Sequence, residues 1–146
     1  GTYDHFACTI HGQADKLRIK DSGQVQNANG SYTTLSDQRM KENITDASSQ
    51  WDDIKALEIR TYQWGMGNTG HTQLGVISQE VEAAGMNGLV EESPADEYHI
   101  AYNSSLEGEK IKSVKYSVLY MKAVKALQEA MTKIEALEAR VTTLEG

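Results

Sequence analysis

Apolar positions along this chain change their period twice, and each change predicts a different kind of structure. Near the N-terminus they alternate. Phe6-Ala7-Cys8-Thr9-Ile10 and Leu17-Arg18-Ile19-Lys20 read as half-buried strands, separated by Gly12, Gly23 and Gly30. Asn29-Gly30 is a favourable turn dipeptide. Strands this short bury little and are expected to borrow a partner sheet. From Ser36 to about Glu91 the pattern is mixed. Ser49 is placed to cap a helix carrying Trp51, Ile54 and Leu57 on one apolar stripe. Residues 59–64 predict a strand, 65–70 a glycine-rich turn, and 72–77 a second strand running into a short helix capped by Ser78. Trp51, Tyr62 and Trp64 are expected in the core.

Residues 92–112 are polar and contain the only proline, Pro94, with Gly108 further on. The flanks 97–102 and 109–112 are expected to pair as an extended hairpin, with Tyr98, Ile100 and Tyr102 on one face. An isolated hairpin is marginal in water, so this one needs something to lie on.

The C-terminal segment has a third period. From Tyr116 there is no Gly or Pro until Gly146, which predicts one long helix. With a at Tyr120, Leu127, Ile134 and Val141, d falls on Ala123, Ala130, Leu137 and Leu144. That three-four alternation predicts a coiled coil with other copies of the chain. Towards the C-terminus g and the following e are charge-complementary, Lys133 with Glu138 and Arg140 with Glu145, as between parallel neighbours. Each exposed pair contributes little. Val124 and Met131 stand at e and widen the stripe, so that half of the helix is expected to pack on its own globular part as well. Ile or Val at a with Leu at d favours two strands, whereas the wider stripe is compatible with three.

Composition narrows the function classes. The 146 residues suit one ordinary domain, and 39% apolar content is enough for a core. A net charge of −7 with no lysine or arginine block argues against a nucleic-acid partner. No apolar run approaches the roughly 20 residues of a spanning helix and nothing reads as a signal peptide, so no membrane partner is expected. Cys8 alone makes no internal disulfide and suits a reducing cytoplasm. Four scattered histidines predict no metal site. The glycine-rich turn lacks the following Gly-Lys-Ser/Thr of a phosphate cradle, so no cofactor is expected. The abrupt ends read as those of a fragment of something longer.

The candidate chemistry lies in Leu35-Ser36-Asp37-Gln38-Arg39-Met40-Lys41-Glu42-Asn43-Ile44, which sets a hydroxyl nucleophile five residues before a lysine able to act as its base. An amine is a base only when neutral, and an ordinary lysine, near 10.4, is charged in water. For this chemistry the value must fall by about 3, at a cost on the order of 4 kcal/mol, through desolvation or neighbouring positive charge. On a straight helix, positions five apart point about 140° away from each other. Contact therefore requires Ser36 on an extended or turning segment with Lys41 folding back, or a neighbouring subunit. The plainer alternative is that Ser36 caps a helix beginning at Asp37 while Lys41 is simply solvated.

The string from Ser36 to Ile44 resembles the signature of the intramolecular chaperone domains that end phage tail spikes, tail fibres and endosialidases. The same self-cleaving domain is found in the eukaryotic myelin regulatory factor. Leu74-Gly75-Val76-Ile77-Ser78-Gln79-Glu80-Val81 is similar to that family's Gly-hydrophobic-Ile-Ala-Gln-Glu segment. Val114-Lys115-Tyr116-Ser117-Val118-Leu119 is similar to its Val-x-Tyr-x-x-Leu lead into the last helix. Ser78 stands where the family has alanine, and 84–88 lacks the proline usual before Leu89-Val90.

The resemblance implies an α+β fold with short N-terminal strands. Residues 1–35 become the tip of a delivered β-structured fibre or spike, and 36–146 the intramolecular chaperone domain. Within the latter, 36–91 is a small mixed globular part, 92–115 a hairpin arm that wraps the product, and 116–146 the long helix of a homotrimeric bundle. The trimer is taken from the resemblance, not from the heptads. Three chains held in register allow slow, non-local strand pairing upstream to finish. Ser36 then attacks the Leu35 carbonyl with Lys41 as base, cutting between Leu35 and Ser36. Asp37, Arg39 and Asn43 match the motif and are expected to support the dyad. The expected partners are other copies and the upstream segment of the same chain. The expected setting is the host cytoplasm during phage assembly, the product going to the virion tail and the chaperone domain being released. The rival expectation is a trimerisation module without catalysis. A membrane-tethered transcription factor fragment finds no basic region to support it.

Overall fold

The computed structural model describes residues 4–9, 15–20, 24–65 and 72–146, which form short antiparallel strand pairs and one long helix, an α+β arrangement. The chain divides into two compact units, Gly1–Thr45 and Asp46–Gly146.

In the first unit, β1 (Asp4–Thr9), β2 (Asp15–Lys20) and β3 (Val25–Asn27) form an antiparallel sheet in that order. Phe6 stands opposite Ile19 and Cys8 opposite Leu17, so both alternating runs are strands as expected. Ile10, Gly12 and Gly23 lie outside the described residues. After β3 the chain turns at Asn29-Gly30, with Gly30 at φ +68, a region open to glycine at little steric cost. Asn27 Nδ2 donates to Ser31 O at 2.9 Å and Tyr32 Oη donates to Val25 O at 3.2 Å, closing the turn. Beyond it, 31–50 is irregular except for one 3-10 turn at Gln38–Met40.

The second unit begins with α1 (Trp51–Ala56), followed by the antiparallel pair β4 (Arg60–Gln63) and β5 (Thr72–Gly75), with Thr61 opposite Leu74. Most of the glycine-rich turn between them, 66–71, lies outside the described residues. Helix α2 (Ser78–Ala83) ends at Gly85, φ +83, where Gly85 N–H bonds Glu82 O and Met86 N–H bonds Val81 O. This is a Schellman cap. It orders residues 84–88 and turns Met86 and Leu89 inward. Strand β6 (Val90–Pro94) then pairs antiparallel with β7 (Lys110–Val114), Val90 opposite Val114, with α3 (Glu97–Tyr102) between them. Helix α4 (Tyr116–Glu145) closes the chain. Val76, Val81, Met86, Leu89 and Leu119 form the buried core, with Ile54, Leu57, Val90 and Val114 packed around it.

Four expectations need correction. Residues 97–102 are a helix, not a strand, because Asp96 accepts from His99 N–H and His99 reaches back to Asp96 N–H, a capping box. The strand partner of 110–114 is 90–94, and Tyr98 and Tyr102 share a helix face that Ile100 leaves. The core is aliphatic. Trp64 is 53% exposed just past the end of β4, edge-on to half-buried Tyr62. The flanking residue of α1 is Gln50 and that of α2 is Ile77, although Ser49 Oγ still accepts from Trp51 N–H at 3.3 Å. Finally, that half of α4 does pack on the globular part as expected, but through Leu119, Lys122, Ala126 and Glu129, while Val124 and Met131 stay exposed. Small Ala126 lets α1 come close, and polar side chains tie down its N-terminal turn.

Candidate self-processing site

Two extended residues flank the 3-10 turn that follows Ser36: Asp37 at ψ 131 and Lys41 at ψ 143. Within the turn, Met40 N–H bonds Asp37 O at 3.0 Å and Lys41 N–H bonds Gln38 O at 3.1 Å. A tight turn between extended flanks reverses the chain far more sharply than an α-helix. It carries Lys41 back to Ser36, and Lys41 Nζ donates to Ser36 Oγ at 2.7 Å. Both side chains face solvent in the single chain, as does Leu35 on the other side of the Leu35–Ser36 peptide bond.

Asp37 organises the turn. Its Oδ1 accepts from Arg39 N–H at 2.9 Å, and its two oxygens take the Arg39 guanidinium in a fork, Nε at 3.0 Å and Nη2 at 2.6 Å. The guanidinium, then the backbone N–H, hold the Asp37 carboxyl below the usual range, and Asp37 in turn raises Arg39. Asp37 and Arg39 therefore brace each other across the turn, beside the Ser36–Lys41 contact. Asn43 takes φ +52, a left-handed conformation that Asn adopts more readily than most residues. It sets the direction in which the chain leaves the turn.

Two other contacts were not legible in the chain. Tyr116, the first residue of α4, accepts from Val76 N–H at 3.3 Å through its hydroxyl. A Cβ on Gly75 would stand 2.6 Å from that oxygen. The Gly75-Val76 and Val114-Lys115-Tyr116 segments thus meet, and Val76 and Leu119 share the core beside them. Burial pushes the Tyr62 phenol up, with the Tyr116 hydroxyl adding to it. The second contact joins α1 to α4. Glu129 accepts from Ser49 Oγ at 2.7 Å and from Gln50 N–H at 3.0 Å, supplying from α4 the cap that Gln50 lacks. Lys122 pairs with Asp53 and donates to Gln50 Oε1. The only prior signal for these residues was a polar helix flank, which reads as solvated surface.

Among the described residues, no group of three His, Cys, Asp or Glu side chains is placed to hold a metal ion, and no helix is long and apolar enough to cross a membrane. No curated protein matches the chain. A family model does: residues 36–91 match peptidase family S74, described as chaperone of endosialidase. The match opens on Ser36 and takes in the 3-10 turn, Gly75 and the core residues up to Leu89. Residues 36–91 therefore match the endosialidase-chaperone family, which supports an intramolecular chaperone domain in this part of the chain.

Proposed function

We propose that three copies of this chain assemble through α4 into an intramolecular chaperone for an upstream phage tail fibre or spike, which then cuts itself free between Leu35 and Ser36. The observation that carries the reading is the 2.7 Å contact of Lys41 Nζ with Ser36 Oγ at the first turn of the matched segment. Assembly is supported by the heptad stripe, whose Tyr120, Leu127, Ile134, Leu137, Val141 and Leu144 are all exposed on the single chain. A stripe of large apolar side chains along one helix face calls for a partner.

A protonated Lys41 donates to the serine oxygen; once neutral, it accepts the hydroxyl proton over the same distance. In this reading assembly takes the amine out of water, which favours its neutral form. Ser36 Oγ then attacks the Leu35 carbonyl carbon, and the bond from that carbon to the Ser36 nitrogen breaks. The proton held by Lys41 passes to the departing amine. The Leu35 acyl group is left as an ester on Ser36 Oγ. Water hydrolyses it, leaving a product that ends in the Leu35 carboxylate and a released domain that begins at Ser36. The Asp37–Arg39 fork keeps the turn in shape, and Asn43 directs the chain away from it. The setting is the host cytoplasm during phage assembly, with the product carried in the virion tail. Removing the chaperone closes the route by which the fibre folded, so its persistence becomes kinetic.

Mass spectrometry of freshly expressed protein tests this. A new N-terminus at Ser36 is expected, together with uncut but still trimeric Ser36→Ala and Lys41→Ala chains. Normal processing of Lys41→Ala removes the lysine as base. The second reading, a trimerisation module without catalysis, draws on the exposure of both dyad side chains, and an uncut wild-type trimer would favour it.

A further inference from the structure

Helices α1 and α4 border an apolar groove of about 360 Å³ lined by Trp51, Ile54, Lys55, Ala123, Ala126 and Leu127. Its floor is Ala126, 7% exposed. One wall comes from α1, and the other consists of two heptad-stripe positions, Ala123 and Leu127. Lys133 Nζ lies 3.7 Å from the centre of the Trp51 ring, covering one face of that indole. The groove therefore opens at the edge of the stripe, where a neighbouring helix would lie.

In parallel helices a g residue faces the e residue five positions further along the neighbouring copy. Lys133 with Glu138 and Arg140 with Glu145 follow that offset. One repeat earlier, the same offset sets a neighbour's Met131 against Ala126; one repeat before that, it sets a neighbour's Val124 against Leu119. Met131 and Val124 are 53% and 47% exposed on the single chain. Their counterparts differ. Leu119 is already packed into its own core, whereas Ala126 is the floor of the groove. An unbranched thioether adapts to an irregular apolar space and makes favourable contact with an aromatic ring.

We infer that the groove receives Met131 of a neighbouring copy, so that α1 belongs to the assembly surface together with the heptad stripe. The inference rests on the parallel assembly proposed above and adds the element through which that assembly reaches the globular unit. It puts the neighbour against the helix that follows the dyad segment, whose first turn Glu129 and Lys122 tie to α4.

The test uses the full chain carrying Ser36→Ala, which keeps it uncut. Sedimentation over a concentration series gives the midpoint of assembly. Met131→Ala is expected to raise that midpoint by about tenfold or more, and Val124→Ala by less than about threefold. With Trp64→Phe added, Trp51 is the sole indole. Its emission is expected to shift to the blue on assembly, and to lose that shift in Met131→Ala at concentrations where trimers still form. Equal penalties for the two alanine variants, or a Trp51 shift that survives Met131→Ala, overturn the inference alone. A chain that stays monomeric throughout overturns the assembly reading and this inference together.

Discussion

Gly75→Ala is expected to destabilise the Asp46–Gly146 unit, because the added methyl has no room. It would stand 2.6 Å from Tyr116 Oη and 3.3 Å from both Cε1 and Oη of Tyr62. Overpacking of this kind costs about 1–3 kcal/mol. Pushing the Tyr116 hydroxyl aside also weakens the bond it accepts from Val76 N–H at 3.3 Å. A typical bond of that sort contributes roughly 0.5–1.5 kcal/mol, so the whole change should cost about 1.5–4.5 kcal/mol. Tyr116→Phe alone gives up only the bond and should cost about 0.5–1.5 kcal/mol. In the Gly75→Ala background the same substitution also removes the clashing oxygen. The double variant should then be more stable than the sum of the single changes predicts, by about 1 kcal/mol or more. Urea denaturation followed by circular dichroism measures this, at one fixed protein concentration because the assembly proposed above would raise apparent stability. If the two changes add to within about 0.3 kcal/mol, the Gly75–Tyr116 contact is not what requires glycine there.

Three further outcomes are expected. Under the proposed mechanism, Lys41→Arg keeps the positive charge but cannot supply a neutral base, so self-cleavage should slow by about 10²–10⁴ without loss of the proposed assembly; time-resolved mass spectrometry that finds an unchanged rate rejects the base role. Leu89→Ala empties a site only 2% exposed, beside Val81 and Leu119, and should cost about 2–5 kcal/mol in urea denaturation; a loss below about 1 kcal/mol rejects its place in the core. Glu129 is held below the ordinary glutamate range, chiefly by the Ser49 hydroxyl and then by Gln50 N–H. A lowered folded value means that its stabilisation is present above the unfolded value, near 4.3, and is lost as pH falls through the folded one. Melting temperatures taken between about pH 3 and 6 should therefore drop more steeply for wild type than for Glu129→Gln, and equal slopes reject the anchor.

Local patterns carried much of the fold. The run from Tyr116 to Glu145 is one helix because nothing in it breaks a helix, and β1 and β2 follow their alternation. Where two local rules competed, the pattern misled. Tyr98, Ile100 and Tyr102 alternate as in a strand, but Asp96 and His99 close a capping box that starts a helix at Glu97. Spacing placed Ser36 and Lys41 in one motif yet left open whether they touch. The answer lay in the backbone angles of Asp37 and Lys41 on either side of a three-residue turn.

The sequence by itself determined the periods of the elements, the apolar stripe of α4 and the residue types available for chemistry near Ser36. These depend on neighbours within a turn or two, where side-chain spacing alone decides which residues share a face. Only the tertiary structure decided that Glu129 caps a helix 79 residues before it, that Tyr116 lies over Gly75, and that α4 offers a polar flank to its own α1 while its stripe stays exposed. Such pairings join positions far apart in the chain. They are selected by the fit of whole surfaces, with close approach at Ala126 and Gly75 possible only because those side chains are small or absent.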